Sequence, residues 1–93
     1  MSLEILHDEK RRRFRAEVTG GEARLDYRRD GGVVDFHSTY VPEEARGGGV
    51  AAEIVSRGFD WAKENGLRVV PSCSYVRTFV KRYPEYEPLV EEG

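Results

Sequence analysis

Two short stretches carry residue types that can do chemistry. The first is Val41-Pro42-Glu43-Glu44-Ala45-Arg46-Gly47-Gly48-Gly49-Val50-Ala51-Ala52, where an apolar, β-branched run gives way to three glycines and then to a helical pattern. Consecutive glycines let the backbone approach a ligand with no side chain in the way. The first N–H groups of a helix have no partner inside it, so loop and helix start can bind an anion, such as the pyrophosphate of a coenzyme. Arg46 can pair with a phosphate, or lie on the surface beside the loop. The second stretch is Pro71-Ser72-Cys73-Ser74-Tyr75. Cys73 falls at a helix start, which favours the thiolate. It is a candidate nucleophile. The alternative is a small buried hydrophobe, the usual role of a free Cys. Tyr75 can act as a general acid, or it packs on the sheet edge.

Two other glycine-loop chemistries fit poorly. The phosphate loop of nucleotide hydrolases needs Lys-Ser or Lys-Thr after its last glycine, and here Val50-Ala51 follows. A dinucleotide fingerprint can be laid on Gly47, Gly49 and Ala52. It requires a carboxylate about twenty residues on and a parallel setting. That point falls near Val69 to Ser72, where there is no carboxylate, and the preceding strands read as hairpins. A plain flexible loop ahead of a helix remains open from the glycines alone.

The elements that must position these residues follow from periodicity. Phe14, Ala16 and Val18 alternate with Arg13, Arg15 and Glu17, the pattern of a half-buried strand. Gly20-Gly21 reads as a two-residue hairpin turn. With Thr19 facing Glu22, Phe14 faces Tyr27 and Ala16 faces Leu25, while Glu17 meets Arg24 and Arg15 meets Asp26 across the polar face. Asp30-Gly31 reads as the next turn, with Tyr27 facing Val34 and Leu25 facing Phe36. The result is an antiparallel three-stranded meander over about 10–19, 22–29 and 32–41. Without a bulge, Val34, Phe36, Ser38 and Tyr40 share the core face, and Val33, Asp35, His37 and Thr39 the polar face. His37 is then a solvated histidine.

A helix is expected from about Gly48 to Asn65, with Val50, Ala51, Ile54, Val55, Gly58, Trp61 and Ala62 on one face. Gly58 in that face implies close approach to the sheet, Trp61 packs in the core, and Gly66 stops the helix. Leu67 to Val70 is a short strand, parallel to the third because a helix separates them. Pro42 and Pro71 lack the N–H needed to continue pairing, so the two strands should part there and leave a slot. A second helix runs from Ser74 or Tyr75 to about Arg82, capped by Ser72 or Ser74. Residues 1–9 read as a lead-in and 88–93 as a frayed tail.

With 93 residues the chain makes one domain, with Lys+Arg 15 against Asp+Glu 17 and a formal net charge of −2. That balance argues against nucleic acid as partner. Arg11, Arg12, Arg13, Arg28 and Arg29 keep an adaptor role as a minor alternative, although Lys10 to Arg13 runs straight into an alternating strand. No run is long and apolar enough for a membrane span, and no signal pattern appears. A single Cys excludes an internal disulfide, no Cys/His cluster suggests a metal, and a reducing cytoplasm is the default compartment.

Taken together, Ser38-Thr39-Tyr40-Val41-Pro42, the loop with Arg-x-x-Gly-x-Ala at Arg46, Gly49 and Ala51, Val69-Val70-Pro71-Ser72-Cys73-Ser74-Tyr75-Val76, and Pro84-Glu85-Tyr86 resemble the short single-domain GNAT-like N-acetyltransferases (YjdJ-like) over roughly residues 10 to 90. The resemblance implies an α/β (α+β) fold: a truncated GNAT-like arrangement of meander, parallel strand and two helices. It implies acetyl-CoA as co-substrate and an unidentified small-molecule or peptide amine as acceptor. The pantetheine would run along Tyr40 and Val41, and the pyrophosphate would sit on the N–H groups of Arg46, Gly47, Gly48, Gly49, Val50 and Ala51. On that reading Cys73, as a transient acetyl carrier or a thiol lining the acetyl pocket, and Tyr75, as general acid to the departing CoA thiolate, are the candidate catalytic side chains. Two departures stand out. The family often has His-Thr-x-Val-Pro, and Ser38 occupies the His position here, so His37 inherits no role from it. Tyr83 stands where His is frequent before Pro-Glu-Tyr. An acyl-CoA-binding module without catalysis is the alternative, and the uncovered polar face is open to the acceptor or to a second subunit in a homodimer.

Overall fold

The computed structural model describes residues 3–91. Its frame is a five-stranded sheet in the sequential order β1 (Leu6–Asp8), β2 (Arg13–Val18), β3 (Gly21–Asp30), β4 (Val33–Tyr40) and β5 (Arg68–Val70). The first four strands are antiparallel and β5 is parallel to β4, as a helical crossover requires. Helices α1 (Val50–Glu64) and α2 (Ser74–Arg82) share one core with one face of the sheet. Phe14, Leu25, Val34, Phe36 and Val69 from the strands meet Ile54, Val55 and Phe59 from α1 and Val76 from α2, all fully buried. No charged or polar residue among those described is buried there. The mixed α/β architecture is the expected one.

Several local expectations need correction. The lead-in contains β1, an edge strand three residues long, too short for periodicity to reveal. His7 on β1 stacks on Phe14 at 4.0 Å, meets Trp61 edge-on at 4.8 Å and shares a 2.6 Å hydrogen bond with the Tyr27 hydroxyl. The first hairpin turns at Thr19-Gly20, with Gly20 at φ +91°, so Val18 pairs with Gly21, Phe14 with Leu25 and Ala16 with Ala23. This is a two-residue slip from the expected register, and it keeps every side chain on its expected face. The expected pairs of Arg15 with Asp26 and Glu17 with Arg24 are not formed: Arg13 takes Asp26 at 2.7 Å, and Arg15 reaches Glu22 diagonally at 3.3 Å. The second hairpin turns at Gly31-Gly32, and Tyr27 pairs with Phe36.

Beyond that rung the register shifts, Asp26 pairing with Ser38, so His37 is the extra residue of a β-bulge. The bulge reverses the facing of the residues beyond it. Thr39 pairs with Leu25 on the core side, and Tyr40 pairs with Arg24 on the open side, 41 % exposed, with the Arg24 guanidinium 4.7 Å from its ring.

Gly58 is a tight approach, as expected: a Cβ there would lie 2.8 Å from Leu25 Cδ2 and 3.0 Å from Phe36 Cζ. α2 is capped by Cys73 rather than by a serine side chain. The tail to Glu91 is tied down, not frayed. Val90 bridges Val69, the Glu91 N–H donates to Val69 O at 2.7 Å, and Arg68 donates to the carbonyls of Pro88 and Val90, each at 2.8 Å. Met1, Ser2, Glu92 and Gly93, part of the expected lead-in and tail, lie outside the described residues.

Candidate functional site

The site is built around the place where β4 loses one of its two neighbours. β5 pairs with β4 only from Val33↔Arg68 to Asp35↔Val70. One further bond, Cys73 N–H to Phe36 O at 3.0 Å, closes the seam. Pro71 cannot donate to a ladder, and the bulge at His37 turns the strand away. From His37 onward the strands part. The far lip is fixed by Arg77, which donates to the carbonyls of Pro71 and Ser72 at 3.0 and 2.7 Å.

A cleft of about 630 Å³ opens on the helix side of this gap. Thr39, Tyr40 and Val41 line it from the strand, Arg46, Gly47 and Gly49 from the loop, Val50, Ala51 and Ala52 from α1, and Tyr75, Arg82 and Tyr83 from α2 and its end. The cleft thus gathers most of the sequence-predicted residues. Gly48 and Cys73 do not line it. Arg82 and Tyr83 were missed, although Tyr75 and Arg82 are two helical turns apart, a spacing that puts both on one face.

The loop has a defined shape. Pro42 precedes a short 3₁₀ turn, Glu43–Ala45, in which Ala45 N–H donates to Pro42 O at 2.9 Å and Arg46 N–H to Glu43 O at 3.2 Å. The Arg46 amide is therefore occupied and does not belong with the free ones. Gly47 and Gly49 take φ +88° and +80°, conformations open to glycine at little cost. Among the described residues, no backbone carbonyl accepts from Gly47, Gly48 or Gly49, and the first bond of α1 runs from Glu53 N–H to Gly49 O. The amides of the glycines and the first turn are left for an anion, at the positive end of the helix dipole. The Arg46 side chain folds back, Nε donating to Val41 O at 2.9 Å. That bond takes one of the backbone groups expected to face pantetheine, and leaves the outer guanidinium nitrogens at the cleft wall.

Cys73 lies beside the cleft. Its sulfur is 3.4 Å from Thr39 Oγ1. Burial pushes the thiol up, but the Thr39 hydroxyl and the amides of Val76, Tyr75 and Thr39 outweigh it, and the net effect is a lowered pKa. The Cys73 side chain makes no cap hydrogen bond to α2. The Tyr75 phenol is pushed up by burial and by Tyr83, so it stays protonated at neutral pH. Among the described residues, no carboxylate or imidazole lines the cleft. Tyr86 of Pro-Glu-Tyr is structural: its hydroxyl donates to Asp60 and meets Ser56 Oγ, both at 3.2 Å, docking the tail on α1. Among the described residues, no group of side chains could hold a metal ion and no helix is long and apolar enough to cross a membrane.

Comparisons with known proteins point to one family. The family model described as GCN5-related N-acetyl-transferase matches residues 13–89. Protein NATD1 of Bos taurus is 34 % identical over 85 residues, covering 88 % of this chain and 75 % of that one. Its Danio rerio counterpart is 35 % identical over 85 residues, covering 88 % and 77 %. A GCN5-like protein from Staphylococcus aureus, solved in solution by NMR, superposes with a TM-score of 0.77 at 26 % identity, over all of this chain and 93 % of that one.

Proposed function

The chain belongs to the GCN5-related N-acetyltransferase family, and from that premise we propose that it transfers the acetyl group of acetyl-CoA to an amine. The observation that carries this reading is the parting of β4 from β5 after Asp35, with a ring of unpaired loop amides at the mouth of the gap. The residues present fit the coenzyme. The amides of Gly47 to Ala51 would hold the pyrophosphate, with Arg46 and Arg82 as flanking cations. The β4 edge at Tyr40 and Val41, free of β5, would receive the pantetheine. Bound acetyl-CoA supplies an activated thioester. Tyr75, kept protonated and lining the cleft, would give a proton to the departing thiolate. Cys73 is one hydrogen bond removed, through Thr39, and its lowered pKa suits either an acyl carrier or a polar wall to the acetyl pocket.

Thermal unfolding with acetyl-CoA, CoA and ATP tests this. Acetyl-CoA at one hundred times its Kd should add about 2.7 kcal/mol, and ATP much less. A melting curve unmoved by millimolar acetyl-CoA would overturn the assignment.

One observation favours a second reading, an acyl-CoA-binding module: among the described residues, the cleft wall has no carboxylate or imidazole to serve as base. Coenzyme binding without CoA release across a panel of amines would select the module.

A further inference from the structure

Two side-chain polar atoms among the described residues are buried without a hydrogen-bond partner: Arg24 Nε and Asp35 Oδ1. Both belong to the sheet face that neither helix covers. Asp35 stands between Val34 and Phe36, both fully buried on the helix side, so its side chain leaves the opposite face. It is also the last β4 residue paired with β5, two residues before the bulge at His37. Three cations of that sheet face are engaged elsewhere. Arg13 bonds Asp26 at 2.7 Å, Arg24 approaches Asp26 at 3.6 Å and covers Tyr40, and Arg68 grips the tail. Arg28 is paired with Asp35 in the register, yet the two form no ion pair. A shielded carboxylate oxygen without a donor is costly unless a partner comes from outside.

We infer that Asp35 anchors the ammonium of a cationic primary amine on the open face, beside the gap between β4 and β5. The inference rests on the coenzyme occupying the helix-side cleft. The gap then joins two opposed sites: thioester on the helix side, amine on the open side, with Ser38 on the amine's face. Asp35 is a specificity residue that selects amines arriving protonated, and the bound ammonium gives its proton to solvent on the open face before its nitrogen can attack the thioester. The acidic cleft of about 490 Å³ between α1 and the tail competes poorly for this role. Its Asp60 already accepts from Tyr86, and Arg57 lines it beside Glu53 and Glu85.

The test is a titration of coenzyme-free, ¹⁵N-labelled protein with 1,5-diaminopentane, with a short lysine peptide and with aniline, neutral at pH 7. Both cationic probes should shift the amides of Asp35, His37 and Ser38, and aniline should not. Asp35→Asn should weaken the cationic probes by about tenfold or more, the loss expected for a hydrogen bond to a charged group. Asp35→Glu, which keeps the charge, should recover part of the affinity. Tighter binding of the peptide than of the diamine assigns a macromolecular acceptor, and the reverse assigns a small one. Shifts confined to Glu53, Asp60 and Glu85, no binding of either cation, or unchanged affinity in a folded Asp35→Asn variant would overturn the inference. Acetyl-CoA stabilisation of the same samples is read separately, so failure of the coenzyme site and failure of the amine site are distinguishable.

Discussion

The two halves of β4 live in different surroundings. From Val33 to Asp35 the strand has β3 on one edge and β5 on the other, with Val34 fully buried. From His37 to Tyr40 it has β3 alone, a bulge, and side chains that are half-buried or exposed. The first half is where the core closes: Tyr27, Trp61, Phe14 and His7 form a continuous aromatic cluster over that end of the sheet. The second half leads into the loop whose glycine amides have no backbone partner among the described residues, and one orphan carboxylate oxygen sits at its threshold. Stability and the proposed binding site are thus separated along one strand, and Phe36 is the residue at the changeover. Its ring faces the core and its carbonyl takes the last bond before the gap.

Substitutions on either side of Phe36 should separate the two properties. Phe36→Ala is expected to cost about 3–5 kcal/mol, the usual loss for a fully buried Phe. That is much of the stability of a small domain. Urea unfolding measures it, and a loss below about 1 kcal/mol would place the seat of stability elsewhere. On the open half, Gly49→Ala meets no atom within 4 Å but must hold φ +80°. It should lose roughly 1–2 kcal/mol of folding stability, together with much of the stabilisation by acetyl-CoA. An unchanged coenzyme response would separate the loop from the binding site.

The smallest effect belongs to His7 at the closed end. Burial lowers its pKa, opposed by Glu9 and Asp8 and helped by Arg57. A depressed folded-state pKa means the unfolded chain binds the proton more tightly. His7 therefore supports the fold fully above about pH 6.5, and that support is lost as pH falls through the lower folded-state value. NMR titration of the ring should give a midpoint below 6.5, and His7→Phe should flatten the melting temperature between neutral and mildly acidic pH. A midpoint above that value would break the contrast between a dry end and a wet one.

The sequence reveals what depends on alternation and hides what depends on a single insertion. The apolar faces of β2, β3 and α1, the approach at Gly58 and the parallel fifth strand were all legible. Each rests on a repeated pattern or on a glycine with one physical use. The hairpin registers were not, since a slip of two residues leaves the same faces apolar and only the turn geometry decides. The bulge at His37 leaves no mark in composition, yet it carries Thr39 to the core side and Tyr40 to the open side. The glycine loop was legible as a turn into a helix because three glycines precede a helical period, and the binding proposed for it needs only backbone groups. Arg77, Arg82 and Tyr83 enter only through the path of α2, and β1 is too short for any period.

The C-terminal residues up to Glu91 have a consequence for how copies of this molecule meet. By lying alongside Val69 under the grip of Arg68, the chain from Pro88 to Glu91 occupies the hydrogen-bonding rim that β5 would otherwise present to its surroundings. Bare rims of this kind recruit foreign strands and seed fibrillar growth. The C-terminal segment therefore acts as a selvedge, the woven border that keeps a cloth from unravelling into its neighbours.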